Sequence, residues 1–151
     1  MENIKWFCKK FKELDVSELY EIMKLRSEVF VVEQNCVYLD ADGKDEESYH
    51  FYAVENKSFV AYTRLLPPGL SYLEASIGRV LTAPSERRRG LGIELMEKSI
   101  SKTKELFDTQ TIKIGAQLYL QSFYEGLGFK QCSDVYDEDG IPHIAMLFER
   151  K

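Results

Sequence analysis

The chain has 151 residues, 44% hydrophobic and 30% charged, with 20 Lys and Arg against 25 Asp and Glu for a net charge of −5. That length suits one domain over residues 1–151, able to bury about 70% of the surface its unfolded chain exposes. The acidic balance argues against nucleic acid and membrane as main partners, no apolar run reaches the roughly 18 residues of a membrane span, and no signal-peptide pattern opens the chain, so a cytoplasmic protein is expected.

Ile4 to Phe11 alternates as a first strand, with Ile4, Trp6 and Cys8 on one face. Asp15, followed three residues later by Glu18, predicts a capped helix over about 16 to 31, whose stripe is Leu19, Ile22, Met23, Arg26, Val29 and Phe30. Arg26 interrupts that core-facing seam, which predicts a carboxylate partner for it. Tyr38 to Ser48 is dense in acids, with Asp40, Asp42, Asp45, Glu46 and Glu47. Its spacing fails a calcium loop, because Lys44 and Asp45 stand where a ligand and a glycine belong. It reads as a solvated loop, or in a functional variant as an electrostatic collar for a cationic amine.

Tyr49 to Glu55 and Ser58 to Leu66 flank Asn56-Lys57 as a hairpin, ended by Pro67-Pro68-Gly69. Tyr72 to Thr82 reads as the next strand. Leu91, Leu95, Met96, Ser99, Ile100, Thr103, Leu106 and Phe107 recur at helical spacing over about 90 to 107. Thr111 to Gln117 alternates as a strand, and Leu120, Phe123, Tyr124 and Leu127 make a short helix. Phe129 to Tyr136 and Ile141 to Glu149 flank the hairpin signal Asp139-Gly140. The order β-α-β-β-β-α-β-α-β-β predicts an α/β fold with helices on both faces of a mixed sheet.

Between the strand ending at Thr82 and the long helix lies Arg87-Arg88-Arg89-Gly90-Leu91-Gly92. Glycines at a helix start cost about 1 kcal/mol each relative to alanine inside the helix, a price accepted where backbone must approach a ligand closely. Bare amides at a helix start, the positive end of its dipole and three arginines together read as a cradle for phosphate or pyrophosphate. A dinucleotide turn is excluded because Leu95 occupies its third small position, and no Walker loop is present. Cys8, Cys36 and Cys132 are odd in number and lack a Cys-x-x-Cys pair, which predicts buried thiols, no disulfide framework and no metal.

Arg87-x-x-Gly90-x-Gly92, with Pro84 ahead of it, resembles the acetyl-CoA-binding motif of the GCN5-related N-acetyltransferase (GNAT) superfamily. Tyr124 followed by Gly128-Phe129 resembles that superfamily's second signature. Longer blocks are similar to the ElaA family within it: Leu25-Arg26, Val29 to Gln34, Tyr38 with Asp42-Gly43, Asp45 and His50, Ala61 to Leu66, Ile77 to Val80, Ala116-Gln117, and Glu138 to Met146. The resemblance implies a mostly antiparallel sheet and a first helical region that is often a pair, with Phe30 to Asn35 as its second piece. It implies acetyl-CoA as cosubstrate, its pyrophosphate on the amides and charges of Arg87, Arg88, Arg89, Gly90, Leu91, Gly92 and Ile93, and its pantetheine arm along Val80, Leu81 and Thr82. Gln117 stands where many members have asparagine, near the cofactor.

Tyr124 would be the acid for the departing thiolate. The glutamate that some relatives carry on the strand before the glycine motif has no match at Ala75-Ser76-Ile77, with Glu74 slightly early. Glu33 and His50 are the candidates for orienting a water relay, and His143 reads as a structural histidine. The expected function is transfer of an acetyl group to a primary amine of a small molecule or peptide, by direct attack in a ternary complex. The alternatives are a non-catalytic acyl-CoA sensor on the same fold and a redox or interaction protein using Cys36. A homodimer stays open.

Overall fold

The structure, a computed structural model, describes residues 3–87 and 89–149. The elements are β1 (Ile4–Lys10), α1 (Val16–Arg26), β2 (Tyr49–Glu55), β3 (Ser58–Leu66), β4 (Ser76–Thr82), α2 (Leu91–Phe107), β5 (Thr111–Gln117), α3 (Gln121–Glu125), β6 (Phe129–Gln131), β7 (Tyr136–Glu138) and β8 (Ile141–Glu149), with short 3-10 turns between. The strands form two antiparallel sheets, β1-β2-β3-β4 and β5-β8-β6, with β7 also on β8.

Local chemistry explains most boundaries. Asp15 caps α1 by accepting from the Glu18 amide at 2.8 Å, while the Glu18 carboxylate accepts from the Asp15 amide at 2.9 Å. Asn56 and Lys57 both take positive φ, 49° and 69°, the turn whose twist suits a tight hairpin. Three expectations are corrected. The predicted second helical piece is a direct π-helical continuation of α1 over Ser27–Glu33, and the Cys36 amide closes it by donating to Val31 O at 3.0 Å. The strand predicted from Tyr72 starts only at Ser76, because Gly69 N–H donates to Tyr72 O at 2.7 Å and folds that stretch into a turn. The strand predicted over Phe129 to Tyr136 is split into β6 and β7, because the Ser133 hydroxyl takes the Ala145 amide at 2.8 Å in place of a ladder carbonyl.

One core joins both sheets. Leu91, Leu95, Met96 and Ile100 of α2 meet Phe51, Ala61, Leu65 and Ile77 of the first sheet and Ile112, Ile114, Ile144 and Met146 of the second. Burying side chains of this size contributes about 1.5–3 kcal/mol each. On the other face of the first sheet, Ile22, Leu25 and Val29 pack on Tyr52, Tyr62 and Leu81. The two sheets touch through β4 and β5, which run parallel and share one bridge, Ala75 to Ile112, with Lys113 N–H donating to Ala75 O at 2.9 Å. Past that bridge the strands part. A bulge sharpens the bend of β4: the β3 register shifts between Tyr62 and Arg64, opposite Arg79, which sits at φ 50°.

Three of the five acids in the loop expected to be solvated are instead paired with arginines, while Glu46 and Glu47 are exposed. Arg26, fully buried, donates from Nε to Asp40 at 2.8 Å and from Nη1 to Asp45 at 2.7 Å. Arg64 holds Asp42 through two bonds of 2.8 and 2.7 Å and Asp45 at 2.9 Å, and Arg79 reaches Asp40 and Asp42 at 2.9 and 3.3 Å. Burial by itself would raise the carboxyls of Asp42 and Asp45. Hydrogen bonds and charge from Arg64 for Asp42, and from Arg26 and Arg64 for Asp45, outweigh it and hold both below the usual carboxylate range. The thiols are also less uniform than expected: Cys36 is buried, Cys8 half-buried with its thiol pushed up by burial to about 11, and Cys132 exposed.

Arg26→Ala leaves the buried Asp40 to Arg79 and the half-buried Asp45 to Arg64, and is expected to destabilise the chain by about 3 kcal/mol in urea unfolding. Because Asp42 and Asp45 ionise at lower pH when folded, their contribution is complete above the unfolded range near about pH 4 and is lost as pH falls through the folded values. The double substitution of Asp42 and Asp45 by Asn should therefore lower stability at neutral pH and flatten its fall below about pH 4, read from urea midpoints across pH.

Candidate active site

Where β4 and β5 separate, a cleft of about 1090 Å³ opens between the sheets. Its walls are Ile77 to Thr82 on β4, Ile114, Gly115 and Gln117 on β5, the start of α2 at Gly92 and Leu95, and Leu120, Phe123 and Tyr124 around α3. The α1 continuation closes one side with Val29, Phe30, Glu33 and Gln34. β4 is hydrogen-bonded by β3 along one edge, and after Ala75 its other edge has no strand partner among the described residues. The splay therefore presents main-chain donors and acceptors of Val80, Leu81 and Thr82 to the cleft.

The start of α2 is open. Gly90 sits at the N-cap with φ 73°, a left-handed conformation that glycine adopts without strain, and among the described residues no side chain caps the helix. The amides of Leu91, Gly92 and Ile93 precede the first helical bond, Glu94 N–H to Gly90 O at 3.3 Å. The side chains of these residues play no part in a cradle: Leu91 is in the core, and Ile93 faces solvent. The three arginines have different fates. Arg87 lines the cleft and grips the Glu33 carboxylate with two bonds of 2.8 and 2.7 Å. Arg89 pairs with Glu55 and Glu86 and does not line the cleft. Arg88 lies outside the described residues.

Tyr124 is 5% exposed, lines the cleft, and rests edge-on against Phe123 and Phe129. Its hydroxyl has no hydrogen-bond partner among the described residues, and burial, then the neighbouring Tyr119, pushes the phenol well above its ordinary value. Gln117 meets Gln34 through a reciprocal amide pair of 3.2 and 3.4 Å, and the Cys36 thiol donates to Asp139 O at 3.3 Å. These contacts carry the segment after α1 across the cleft to the second sheet.

The two candidates for the relay stand differently. Hydrogen bonds from Arg87, with only a small opposing effect of burial, hold the Glu33 carboxyl below its ordinary range, so it is a poor proton acceptor. His50 is fully buried and outside the cleft lining. Its Nε2 donates to Asp45 O at 2.9 Å and its Nδ1 accepts from Tyr62 at 2.7 Å, while burial pushes its pKa down. Both of its ring nitrogens are thus occupied, one of them by the loop that carries the arginine-paired aspartates. Sequence reading also missed Gln34 and Tyr72 in the cleft lining and Tyr136 behind Gly115. Gln34 had a signal in its family block; the tyrosines had none, since only folding brings their hydroxyls together, each 3.0 Å from where a Cβ on Gly115 would lie.

A wedge between two parallel strands, closed by a glycine-started helix and a helix-borne tyrosine, is the architecture of one acyltransferase fold. The profile described as an acetyltransferase (GNAT) domain matches residues 14–150. Protein ElaA of Escherichia coli is 40% identical over 148 residues, 97% of each chain, and its crystal structure superposes with a TM-score of 0.89. An acyl-CoA N-acyltransferase from Pseudomonas aeruginosa, 39% identical, superposes with a TM-score of 0.91 over 96% of this chain and 99% of that one. A UPF0039 protein of Schizosaccharomyces pombe is 42% identical over 99% of both chains. The chain belongs to the GNAT acetyltransferases, and within them to the ElaA-like family.

Gly90→Ala meets no atom within 4 Å, so its effect isolates backbone conformation. A loss of about 1 kcal/mol is expected, measured by urea unfolding.

Proposed function

We propose that the chain transfers an acetyl group from acetyl-CoA to a primary amine of a small molecule or peptide, by direct attack within a ternary complex. The observation that carries this is the parting of β4 from β5 beside an uncapped helix start, which leaves unpaired main-chain groups along one continuous cleft. Acetyl-CoA fits these residues and supplies the thioester. The Leu91, Gly92 and Ile93 amides would hold its pyrophosphate, aided by the dipole of a long helix, and Gly92 adds no side chain to obstruct approach. Arg87 would add charge from its place at the rim. Val80, Leu81 and Thr82 would bind the pantetheine arm as an added strand, and one of their N–H groups would polarise the thioester carbonyl.

Holding nucleophile and thioester in line is the main contribution of such a site. Tyr124 serves as donor to the departing sulfur. A phenol raised by burial stays protonated across the neutral range, and with no partner of its own its hydrogen is free to turn toward developing thiolate. The sensor alternative draws support from Ala75-Ser76-Ile77, which offers no carboxylate, and from the commitment of Glu33 to Arg87. Among the described residues no helix is long and apolar enough to cross a membrane.

Tyr124→Phe is expected to lower kcat by about 10²-fold or more while leaving the thermal shift produced by acetyl-CoA unchanged. CoA-thiol release with a panel of primary amines is the measurement. Stabilisation by acetyl-CoA with no release on any amine would favour the sensor.

A further inference from the structure

The wall of the cleft on the second sheet holds a second histidine in a different condition from His50. Gln117, His143 and Tyr136 stand opposite one another on β5, β8 and β7 and so form one cross-strand row on the second sheet, with Gln117 and His143 both lining the cleft. His143 is 6% exposed, and Tyr136 stacks on its ring at 5.9 Å and 28°. Its Nδ1 lies 2.8 Å from Ile141 O. A carbonyl only accepts, so Nδ1 carries the hydrogen, and in the neutral ring Nε2 then keeps a lone pair. Buried histidines with a purely structural role close both nitrogens, as His50 does at 2.7 and 2.9 Å. Nε2 of His143 instead faces the Glu138 carboxylate at 3.5 Å, and Glu138 is 54% exposed and lines the cleft with Asp139. The other titratable groups beside the ring are Tyr136 and, hydrogen-bonded to it from ahead of β4, Tyr72, whose phenol is pushed up to about 12 by burial, then by Tyr136 and Glu138. Both stay neutral, and Glu138 supplies the negative charge.

We infer that His143 accepts the proton of the incoming ammonium, with Glu138 receiving that cation and then holding the imidazolium; this rests on the acetyl transfer proposed above. The geometry supplies each step. The ammonium is drawn to Glu138 and gives one proton to Nε2. The imidazolium is held through Nδ1–H by Ile141 O and through Nε2–H by Glu138, whose exposure lets the proton pass to solvent. The neutral nitrogen forms its bond to the thioester carbon, the carbon–sulfur bond breaks with its electron pair on sulfur, and the second proton shed by nitrogen replaces the one Tyr124 passes to sulfur. The site thus selects amines that arrive charged, and the carboxylate expected on β4 is replaced by a histidine on β8.

The test uses the full chain with acetyl-CoA and three probes: putrescine, tyramine and a lysine tripeptide. His143→Asn keeps a donor for Ile141 O and removes the base. It is expected to keep the acetyl-CoA thermal shift and lose about 10²-fold in kcat/KM at pH 7, with the deficit narrowing as pH rises toward the amine's own value near about 10. Glu138→Gln, at an exposed position, is expected to lose about tenfold with the same probe and to retain the thermal shift. Unchanged kcat/KM in His143→Asn, or a loss uniform across pH, overturns the assignment while leaving acetyl transfer standing. If His143→Asn loses the thermal shift or fails to fold, Glu138→Gln decides, and full activity there overturns it. Wild-type chain that acquires the thermal shift but releases no CoA on any probe overturns the transfer reading and this assignment together.

Discussion

The structure depends on a single main-chain junction. Ala75 and Ile112 join the two sheets, and beyond them β4 and β5 diverge although each continues as a strand. Backbone N–H and C=O groups are obligatory hydrogen-bonding groups, so an open strand edge inside a fold must be wetted or filled. Here the edge is kept open by packing, because α2 sends Leu91, Leu95, Met96 and Ile100 into a core built from both sheets. The sheets cannot slide together to heal the gap without breaking that core. The same helix begins at the gap, so the element that fixes the wedge also aims its uncapped amides into it.

A second constraint borders the cleft, whose lining includes Asp42, Arg64 and Arg79. Three arginines and three aspartates interlock Arg26 of α1, Arg64 of β3 and Arg79 of β4 with the loop carrying Asp40, Asp42 and Asp45. Buried ion pairs contribute little net stability against apolar replacement, yet breaking one partner is expensive, so such clusters define position more than they strengthen a fold. What this one defines is the bulge at Arg79, held at φ 50°, next to the β4 residues that face the cleft. Of the five acids in this loop, Asp40, Asp42 and Asp45 are paired with arginines, while Glu46 and Glu47 are exposed. Glu138, on the other sheet, lines the cleft with its side chain 54% exposed and His143 as its partner.

The residues of the site then divide by what already occupies them. Arg89, His50 and Glu33 have committed partners, whereas Tyr124 Oη has no hydrogen-bond partner among the described residues and His143 Nε2 has only the Glu138 carboxylate at 3.5 Å.

The sequence by itself determined the elements whose signals are local: the Asp15 and Glu18 cap, the Asn56-Lys57 turn, the α2 stripe, and the glycines at its start, because capping, φ preference and periodicity act within a few residues. It also revealed the family, through blocks matched along the chain. Only the tertiary structure decided which charges are spent. Arg26 and Asp40, or Arg87 and Glu33, are distant in the chain, and their pairing follows from packing rather than from spacing. The same holds for the break of the last predicted strand at Ser133 and for the two histidines. Which ring nitrogens the folded neighbours occupy is set by contacts between residues on different strands and loops, which spacing does not show.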